Sequence, residues 1–214
     1  MIKEFSIIIS NTTRSVHYLR NLKKEKLFPN RIIYLDNKSK NRSAKILKKK
    51  KFFFKDNDVK VFLSDDITVN ISKFILKEKI KFLIYSGYPG IIIKNKNLLK
   101  KIKIIHCHPG KLPDFRGSTP IYYSLLKKNK IYCSSMFLNG ELDKGDIILE
   151  EEYPIPRNIF NIDKKYDDEI RAKHLIKTLK KSGKLNTKKQ NDKSLPYYTI
   201  HPMLRSLCFK LKRK

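Results

Sequence analysis

The stretch "IIHCHPGKLPDFRGSTPIYYSLL", residues 104–126, joins a short apolar run, a loop rich in Pro and Gly, and a helical pattern. His106 and His108 close the apolar run, one residue apart. Residues i and i+2 of a strand point to the same side, so both imidazoles are predicted to face one way. Thr119 and Pro120 suit the N-cap and the first position of the helix that follows. Strand, loop and helix in this order predict part of an α/β fold.

The same alternation of apolar runs and helical patterns extends along the chain in both directions. Predicted strands cover residues 5–10, 31–36, 59–63, 81–87, 101–107, 131–139 and 146–156. Predicted helices cover residues 14–25, 43–54, 66–79, 119–130 and 167–183, the last one ending at Gly183. Strands of this kind between helices predict a Rossmann-like, mostly parallel sheet with helices on both faces. We expect one α/β catalytic domain over 1–160 and a helical extension over 161–214 that packs on it.

The chain is strongly basic, with 49 Lys and Arg against 20 Asp and Glu, for a net charge of +29. Lysine greatly outnumbers arginine, whereas a nucleic-acid surface favours arginine, whose planar fork fits phosphates and base edges. Solvated lysine faces are therefore the favoured interpretation, and no nucleic-acid partner is expected. A basic RNA-binding module stays as the alternative that is not an enzyme. The positive field would in either case favour an anionic substrate.

Cysteine usage and the N-terminus predict the compartment. Cys107, Cys133 and Cys208 form no CxxC spacing, which favours reduced thiols in the cytoplasm. The apolar run near the N-terminus has only about five residues, too few for a secretion signal or a membrane span. We therefore expect a cytoplasmic protein without a membrane span.

The residues after two predicted strands suggest a reactive site at the carboxyl ends of the strands, where such folds bind ligands. His106 and His108 end one strand, and the loop "NGELDKGD", residues 139–146, follows another and supplies carboxylates. A carboxylate beside an imidazole fixes its tautomer and stabilises its protonated form. His-x-His with Asp is also a metal ligand set, but no further His or Cys lies at ligand spacing, so no metal is expected. Simple packing is the remaining interpretation.

Two segments together resemble the folate-dependent formyltransferase family: "HPGKLPDFRGSTPIYYSLL", residues 108–126, and "LDKGDIILEEEYPIP", residues 142–156. The family pattern is Asn-x-His, a Leu-Pro loop with Arg-Gly, and then Leu-Asp-x-Gly. The resemblance implies transfer of a formyl group from 10-formyltetrahydrofolate to an amine. It also implies a catalytic set of His106, His108 and Asp143, in which His106 departs from the family by replacing the Asn.

The resemblance extends to the residues that bind the two substrates. "YSGYPGII", residues 85–92, is similar to the family segment whose backbone lines the pterin pocket. The residues expected to bind the formyl donor are Tyr88, Pro89, Gly90, Ile91, Asn139, Gly140 and Glu141. The residues expected to bind the acceptor are Thr12, Arg14, Arg116 and Gly117, with fixing of the loop as the alternative role of Arg116.

The family divides by its acceptor amine. Enzymes that act on methionyl-tRNA carry a further β-rich domain, which we expect this chain to lack. Enzymes that act on glycinamide ribonucleotide have a Gly-rich loop after the first strand, where this chain has "SNTTRS", residues 10–15. The expected acceptor is therefore a small-molecule amine, an amino sugar on an anionic nucleotide carrier. A glycinamide ribonucleotide enzyme, a formyl hydrolase and an inactive relative are the alternatives, and a homodimer is left open.

Overall fold

The computed structural model describes residues 2–37, 59–181, 186–191 and 195–211. The strands are β1 (Ser6–Ser10), β2 (Ile32–Leu35), β3 (Val59–Phe62), β4 (Phe82–Ser86), β5 (Lys103–His108), β6 (Ile131–Phe137) and β7 (Ile147–Tyr153). The helices are α1 (Thr13–Lys24), α2 (Val69–Lys77), α3 (Lys96–Lys101), α4 (Pro120–Lys128), α5 (Asp167–Lys180) and α6 (Pro202–Leu211). A 3-10 turn, Ile159–Asn161, and a π-helical turn, Ile162–Tyr166, precede α5. The helix predicted over 43–54 and the stop at Gly183 lie outside the described residues.

Contacts divide the chain into two compact units, and the division falls inside β5. The first unit holds residues Met1–His106 and Leu138–Gly140, and the second holds Cys107–Phe137 and Glu141–Lys214. The division predicted near residue 160 from the sequence stays a prediction.

The first unit contains five strands in the order β3-β2-β1-β4-β5, and every described pairing among them is parallel. Ile7 lies between Ile32 and Ile84, and Ile84 lies opposite Ile105. Parallel strands in this arrangement end at the same edge, so the polar residues after β1 and β4 emerge on one side of this unit.

The core of the first unit explains why its strands are almost continuously apolar. Ile8, Leu83 and Ile104 belong to one buried cluster with residues of the two short helices α2 and α3. The residues that alternate with them, such as Ile7 and Ile84, are equally buried. A strand that is covered on both faces needs apolar side chains at every position, which is the pattern that the sequence shows.

The second unit is built on the antiparallel pair β6 and β7, in which Ile131 lies opposite Tyr153. Helix α5 packs against both strands, and α4 contacts α6. The segments after α5 add two isolated bridges, one from Lys188 to Ile147 and one from Tyr197 to Gly117. With the first unit, these elements confirm the predicted α/β fold with mostly parallel strands.

The start of α4 is as predicted: Thr119 is the N-cap and Pro120 is the first helical residue. Thr119 has a φ of 49°, however, and its side chain makes no cap hydrogen bond. The Thr119 hydroxyl instead accepts a hydrogen bond from the amide of Ile200 at 2.9 Å. A tertiary contact with the C-terminal segment therefore takes the place of the local cap hydrogen bond. Among the described helices, none is long and apolar enough to cross a membrane.

Candidate active site

His108 is the most deeply enclosed of the predicted catalytic residues, with 3% of its surface exposed. Its Nδ1 lies 3.5 Å from Asp143 Oδ2, and its Nε2 lies 2.7 Å from the carbonyl oxygen of Phe115. Both oxygens are hydrogen-bond acceptors. A neutral imidazole has one N–H and can donate to only one of them, whereas an imidazolium donates to both. These two contacts hold the His108 ring in one orientation.

Asp143 is set by the loop that carries it. Its carboxylate is buried, and Oδ2 accepts a hydrogen bond from the Gly117 amide at 2.9 Å. Asp143 itself adopts a left-handed backbone conformation, with φ of 52°. Such a conformation costs a residue other than glycine about 1 kcal/mol or more and persists only when neighbouring contacts enforce it. The conformation of the folded loop therefore directs the Asp143 carboxylate towards His108.

Gly117 is required by its neighbours as well as by its conformation. Its φ is +92°, and a Cβ at this position would lie 2.2 Å from the carbonyl oxygen of Tyr197. The residues on either side are tied to Tyr197: the Tyr197 amide donates to the Arg116 carbonyl, and the Ser118 amide donates to the Tyr197 carbonyl, both at 2.9 Å. These bonds fix the amide that Gly117 donates to Asp143.

Arg116 is almost fully buried, with 2% of its surface exposed. The segment around it is fixed by the backbone bonds to Tyr197 described above, which fits the loop-fixing role expected as its alternative. Its predicted contact with an acceptor stays a prediction.

In the first unit, the loop after β4 is anchored by Tyr88. The Tyr88 hydroxyl donates to the Leu35 carbonyl at 3.3 Å and accepts from the Asn37 amide at 3.2 Å. Pro89 and Gly90 are exposed, and a Cβ on Gly90 would meet no atom within 4 Å. Ile91 packs against the core cluster. The loop is therefore rigid at one end and presents exposed backbone at its tip.

The remaining residues predicted to bind the donor fall into both units. Asn139 and Gly140 belong to the first unit, and Gly140 has a φ of +91°. Glu141 belongs to the second unit, is exposed, and pairs with Lys144 at 2.7 Å. The hydrogen bond from Lys144 lowers the pKa of Glu141. Glu141 therefore already has an ionic partner on its own loop.

Thr12 and Arg14, predicted to contact an acceptor, take part in internal hydrogen bonds of the first unit. Thr12 is the N-cap of α1 and accepts from the Ser15 amide at 3.3 Å. Arg14 is buried and donates to the Ser86 hydroxyl at 3.3 Å and to the Gly87 carbonyl. These bonds connect the start of α1 to the end of β4.

His106 lies at the end of β5 in the first unit, beside Tyr85 of β4. Their ring centroids are 6.1 Å apart. The Tyr85 hydroxyl is buried and, within the described part of the chain, has no hydrogen-bond partner. Burial raises the pKa of Tyr85 to about 12, so this hydroxyl keeps its proton and remains a donor. Gly87 makes room for the ring, because a Cβ there would lie 2.5 Å from the hydroxyl oxygen.

Sequence reasoning missed three residues that shape these surroundings: Tyr85, Gln190 and Tyr197. Tyr85 reads as one more apolar strand residue, and only its position before the "SGYPG" segment marks it out. Gln190 and Tyr197 lie in a polar stretch with no periodicity, and nothing in that stretch connects them with Asp143 or Gly117. In the described ranges, no group of three or more His, Cys, Asp or Glu side chains could hold a metal ion.

Comparisons with known proteins agree with this architecture. The chain is 31% identical over 153 residues to a methionyl-tRNA formyltransferase of Caldicellulosiruptor saccharolyticus, a match that covers 69% of this chain and 49% of that protein. It is 29% identical over 118 residues to the methionyl-tRNA formyltransferase of Rickettsia bellii, covering 54% of this chain and 38% of that protein. The chain thus spans about half or less of the length of these curated relatives.

Solved structures show the same fold at low sequence identity. A sugar N-formyltransferase from Shewanella sp FDAARGOS_354 matches with a TM-score of 0.59 and 17% identity, over 93% of this chain and 77% of that chain. A glycinamide ribonucleotide transformylase from Symbiobacterium toebii matches with a TM-score of 0.61 and 12% identity, over 89% and 95%. The sequence model of the family described as "Formyl transferase" matches residues 4–168 of this chain, which is more than half of its 214 residues. The chain therefore belongs to the formyl transferase family.

Proposed function

We propose that this chain transfers a formyl group from 10-formyltetrahydrofolate to a primary amine. The observation that carries the proposal is the buried pair of His108 and Asp143, whose Nδ1 and Oδ2 lie 3.5 Å apart. An imidazole held by a carboxylate is a group that can accept, keep and return a proton near neutral pH. Formyl transfer to an amine needs such a group, because the attacking nitrogen must lose a proton.

The reaction divides into two proton-coupled steps. The neutral amine attacks the formyl carbon, the carbonyl becomes an oxyanion, and the nitrogen becomes cationic. Loss of one proton from that nitrogen and return of one proton to the folate nitrogen let the C–N bond to the donor break. We assign the handling of this proton to His108, which Asp143 orients. His106 is assigned the hydrogen bond to the oxyanion, a contribution of about 3 kcal/mol per donor in acyl-transfer sites.

We place the pterin of the donor against the loop after β4, Tyr88 to Ile91, and against Asn139 and Gly140. The supporting feature is the rigid loop with exposed backbone at Pro89 and Gly90. Pterin rings carry several donors and acceptors at their edge, which suit backbone amides and carbonyls. We propose that the reaction takes place in the cytoplasm, and the supporting feature is that Cys107, Cys133 and Cys208 form no disulfide.

For the acceptor, we propose an amino sugar on a nucleotide carrier. A positive net charge of +29 favours an anionic substrate, and a sugar nucleotide carries its charge on the diphosphate. The likeness to the Shewanella sugar N-formyltransferase shows the shared fold and makes this class a reasonable first choice. Methionyl-tRNA is the second candidate, because the curated relatives carry that name and a basic chain also suits a polyanion such as tRNA.

A direct test is product mass after incubation of the protein with 10-formyltetrahydrofolate and one acceptor at a time. The acceptors are a panel of amino-sugar nucleotides, glycinamide ribonucleotide and charged initiator methionyl-tRNA. We expect a formyl adduct on one of the amino-sugar nucleotides and none with His108→Ala. A formyl adduct on methionyl-tRNA alone would replace the proposed acceptor. Release of formate without any adduct would indicate a hydrolase, and no turnover of the donor at all would contradict the proposed function.

A further inference from the structure

Gln190 lies outside the segment that matches the family, yet its side chain contacts the loop of Asp143. The side-chain Nε2 of Gln190 lies 3.1 Å from the carbonyl oxygen of Asp143 and 2.6 Å from that of Gly145. One amide nitrogen thereby donates both of its hydrogens to the same loop. This is a tertiary contact, because Gln190 and Asp143 are 47 residues apart in the sequence.

The orientation of this amide follows from its partners. Both groups facing Gln190 are carbonyl oxygens, which only accept hydrogen bonds. The side-chain nitrogen must therefore face them, since the opposite orientation would set three acceptor oxygens against each other. The Gln190 oxygen is buried and has no hydrogen-bond partner among the described residues. The two hydrogen bonds from its NH2 group therefore hold the Gln190 side chain in place.

The two carbonyls that Gln190 binds, those of Asp143 and Gly145, lie in one loop. Asp143 adopts a φ of 52°, and Gly145 is the second glycine of that loop. Rotation of the Asp143 backbone towards an ordinary conformation would swing its carboxylate away from both His108 and Gly117. A donor that holds the Asp143 carbonyl opposes that rotation without touching the carboxylate.

We propose that Gln190 is a positioning residue: its side-chain amide holds Asp143 in the conformation that aims the carboxylate at His108. The proposal rests on the proposed function insofar as it concerns the rate of formyl transfer. Gln190 is uncharged, and its two hydrogen bonds go to backbone carbonyls and not to the Asp143 carboxylate, so it does not compete with His108 for that group. It acts on the reaction only through the geometry of residue 143.

The test compares Gln190→Met with Tyr198→Ala. Methionine has nearly the same length and no N–H, whereas Tyr198 lies in the same C-terminal segment and is 85% exposed. With Gln190→Met we expect kcat to fall about tenfold or more with KM within about twofold, because orientation of the proton-handling pair is lost and binding is not. With Tyr198→Ala we expect both constants to stay at the wild-type values.

A second readout does not need the reaction. The Gly117 amide donates to Asp143 Oδ2, so its proton resonance reports whether the carboxylate is in place. In Gln190→Met this resonance should move upfield, towards the position of an amide without a charged acceptor. An unchanged resonance together with unchanged kcat in a folded variant would overturn the proposal.

Two further outcomes remain informative. If Gln190→Met does not fold, hydrogen exchange of the Gln190 side-chain amide is measured in the wild-type protein, where slow exchange is expected. Exchange as fast as that of an exposed glutamine would overturn the proposal. If the wild-type protein transfers no formyl group, the proposed function fails, and the shift of the Gly117 amide still decides the positioning role.

Discussion

Two regions of the second unit are each built around a buried histidine with nearly the same partners. His108 contacts the Phe115 carbonyl through Nε2 and has Asp143 Oδ2 3.5 Å from Nδ1. His174 of α5 contacts the Leu149 carbonyl through Nε2 at 3.2 Å and has Glu151 Oε2 3.8 Å from Nδ1. From burial and composition alone, the two would be given the same role.

The difference lies in what stands beside Nδ1. At His174, the Tyr153 hydroxyl lies 3.1 Å from Nδ1, and Lys177 binds the Glu151 carboxylate at 2.6 Å. Burial lowers the pKa of His174 to about 4, so this ring is neutral at physiological pH. At His108, no described hydroxyl or lysine is hydrogen-bonded to Nδ1 or to the Asp143 carboxylate. The two sites thus differ in the charge beside the imidazole: the Glu151 carboxylate is paired with Lys177, whereas no described lysine is paired with the Asp143 carboxylate.

The largest expected effect comes from removing His108, the residue proposed to handle the proton. His108→Ala should lower the rate of formyl transfer by about 1,000-fold, because the imidazole proposed to take up and return the proton is lost. The matched control is His174→Gln, which removes an equally buried imidazole and should leave the rate within about threefold. Rates are compared in variants whose circular dichroism shows a folded chain. Activity of His108→Ala within about tenfold of wild type would contradict the assignment.

The second prediction removes the charge beside His108. In Asp143→Asn, the side-chain oxygen can take the place of Oδ2, which faces both the Gly117 amide and His108 Nδ1, but the negative charge is lost. An imidazolium that forms during the reaction is then less stabilised, and we expect kcat to fall about 10- to 100-fold. Steady-state kinetics at neutral pH measure this change. An unaltered rate would show that the carboxylate has no part in the reaction.

The third prediction concerns stability and the structural histidine. The pKa of His174 is about 4 in the folded protein and 6.5 when exposed, so between these values the unfolded chain binds the extra proton. The stability contributed by the neutral ring is complete above pH 6.5 and is lost as the pH falls towards 4. The loss should approach about 3 kcal/mol. Urea unfolding at pH 7 and pH 4 should show it in the wild type and not in His174→Gln; equal losses would contradict the prediction.

The smallest effect is expected at His106, the second histidine of the proposed site. His106→Asn restores the family residue and keeps a hydrogen-bond donor for the oxyanion, so the rate near neutral pH should stay within about threefold or rise. At acid pH the variant should be the more active, because asparagine cannot take up a proton. Paired pH-rate profiles test both statements. Complete loss of activity would show that the imidazole of His106 has a task that an amide cannot perform.

Much of the fold was accessible from sequence because its signals are local. The strands around Ile8, Leu83 and Ile104 are buried on both faces, and their continuous apolar runs predict β1, β4 and β5 to within a few residues. At the start of α6, the Nδ1 of His201 accepts a hydrogen bond from the Met203 amide at 3.3 Å, which is another short-range contact. Thr119 is the predicted N-cap of α4, but its hydroxyl accepts from the amide of Ile200, far along the chain, and not from the helix itself.

The contacts that hold the candidate site in place could not be predicted from the sequence, because they too are tertiary contacts. Asp143 and His108 can be matched to a motif, but the contacts that aim them come from backbone groups of Phe115 and Gly117 and from Gln190. Such contacts leave no pattern, because any residue has a carbonyl and an amide. His174 makes the same point: its contact with Glu151 of β7 cannot be predicted from the sequence around either residue.

The bridge between Gly117 and Tyr197 has a practical consequence for anyone who shortens this chain. A fragment that stops at residue 168, where the family match ends, would retain each recognisable motif and still lose the strand-like partner that holds the Gly117 backbone. Such a fragment would also lack most of α5, which packs against β6 and β7. To keep the Gly117 bridge, a fragment has to extend at least to Tyr197, 29 residues beyond residue 168.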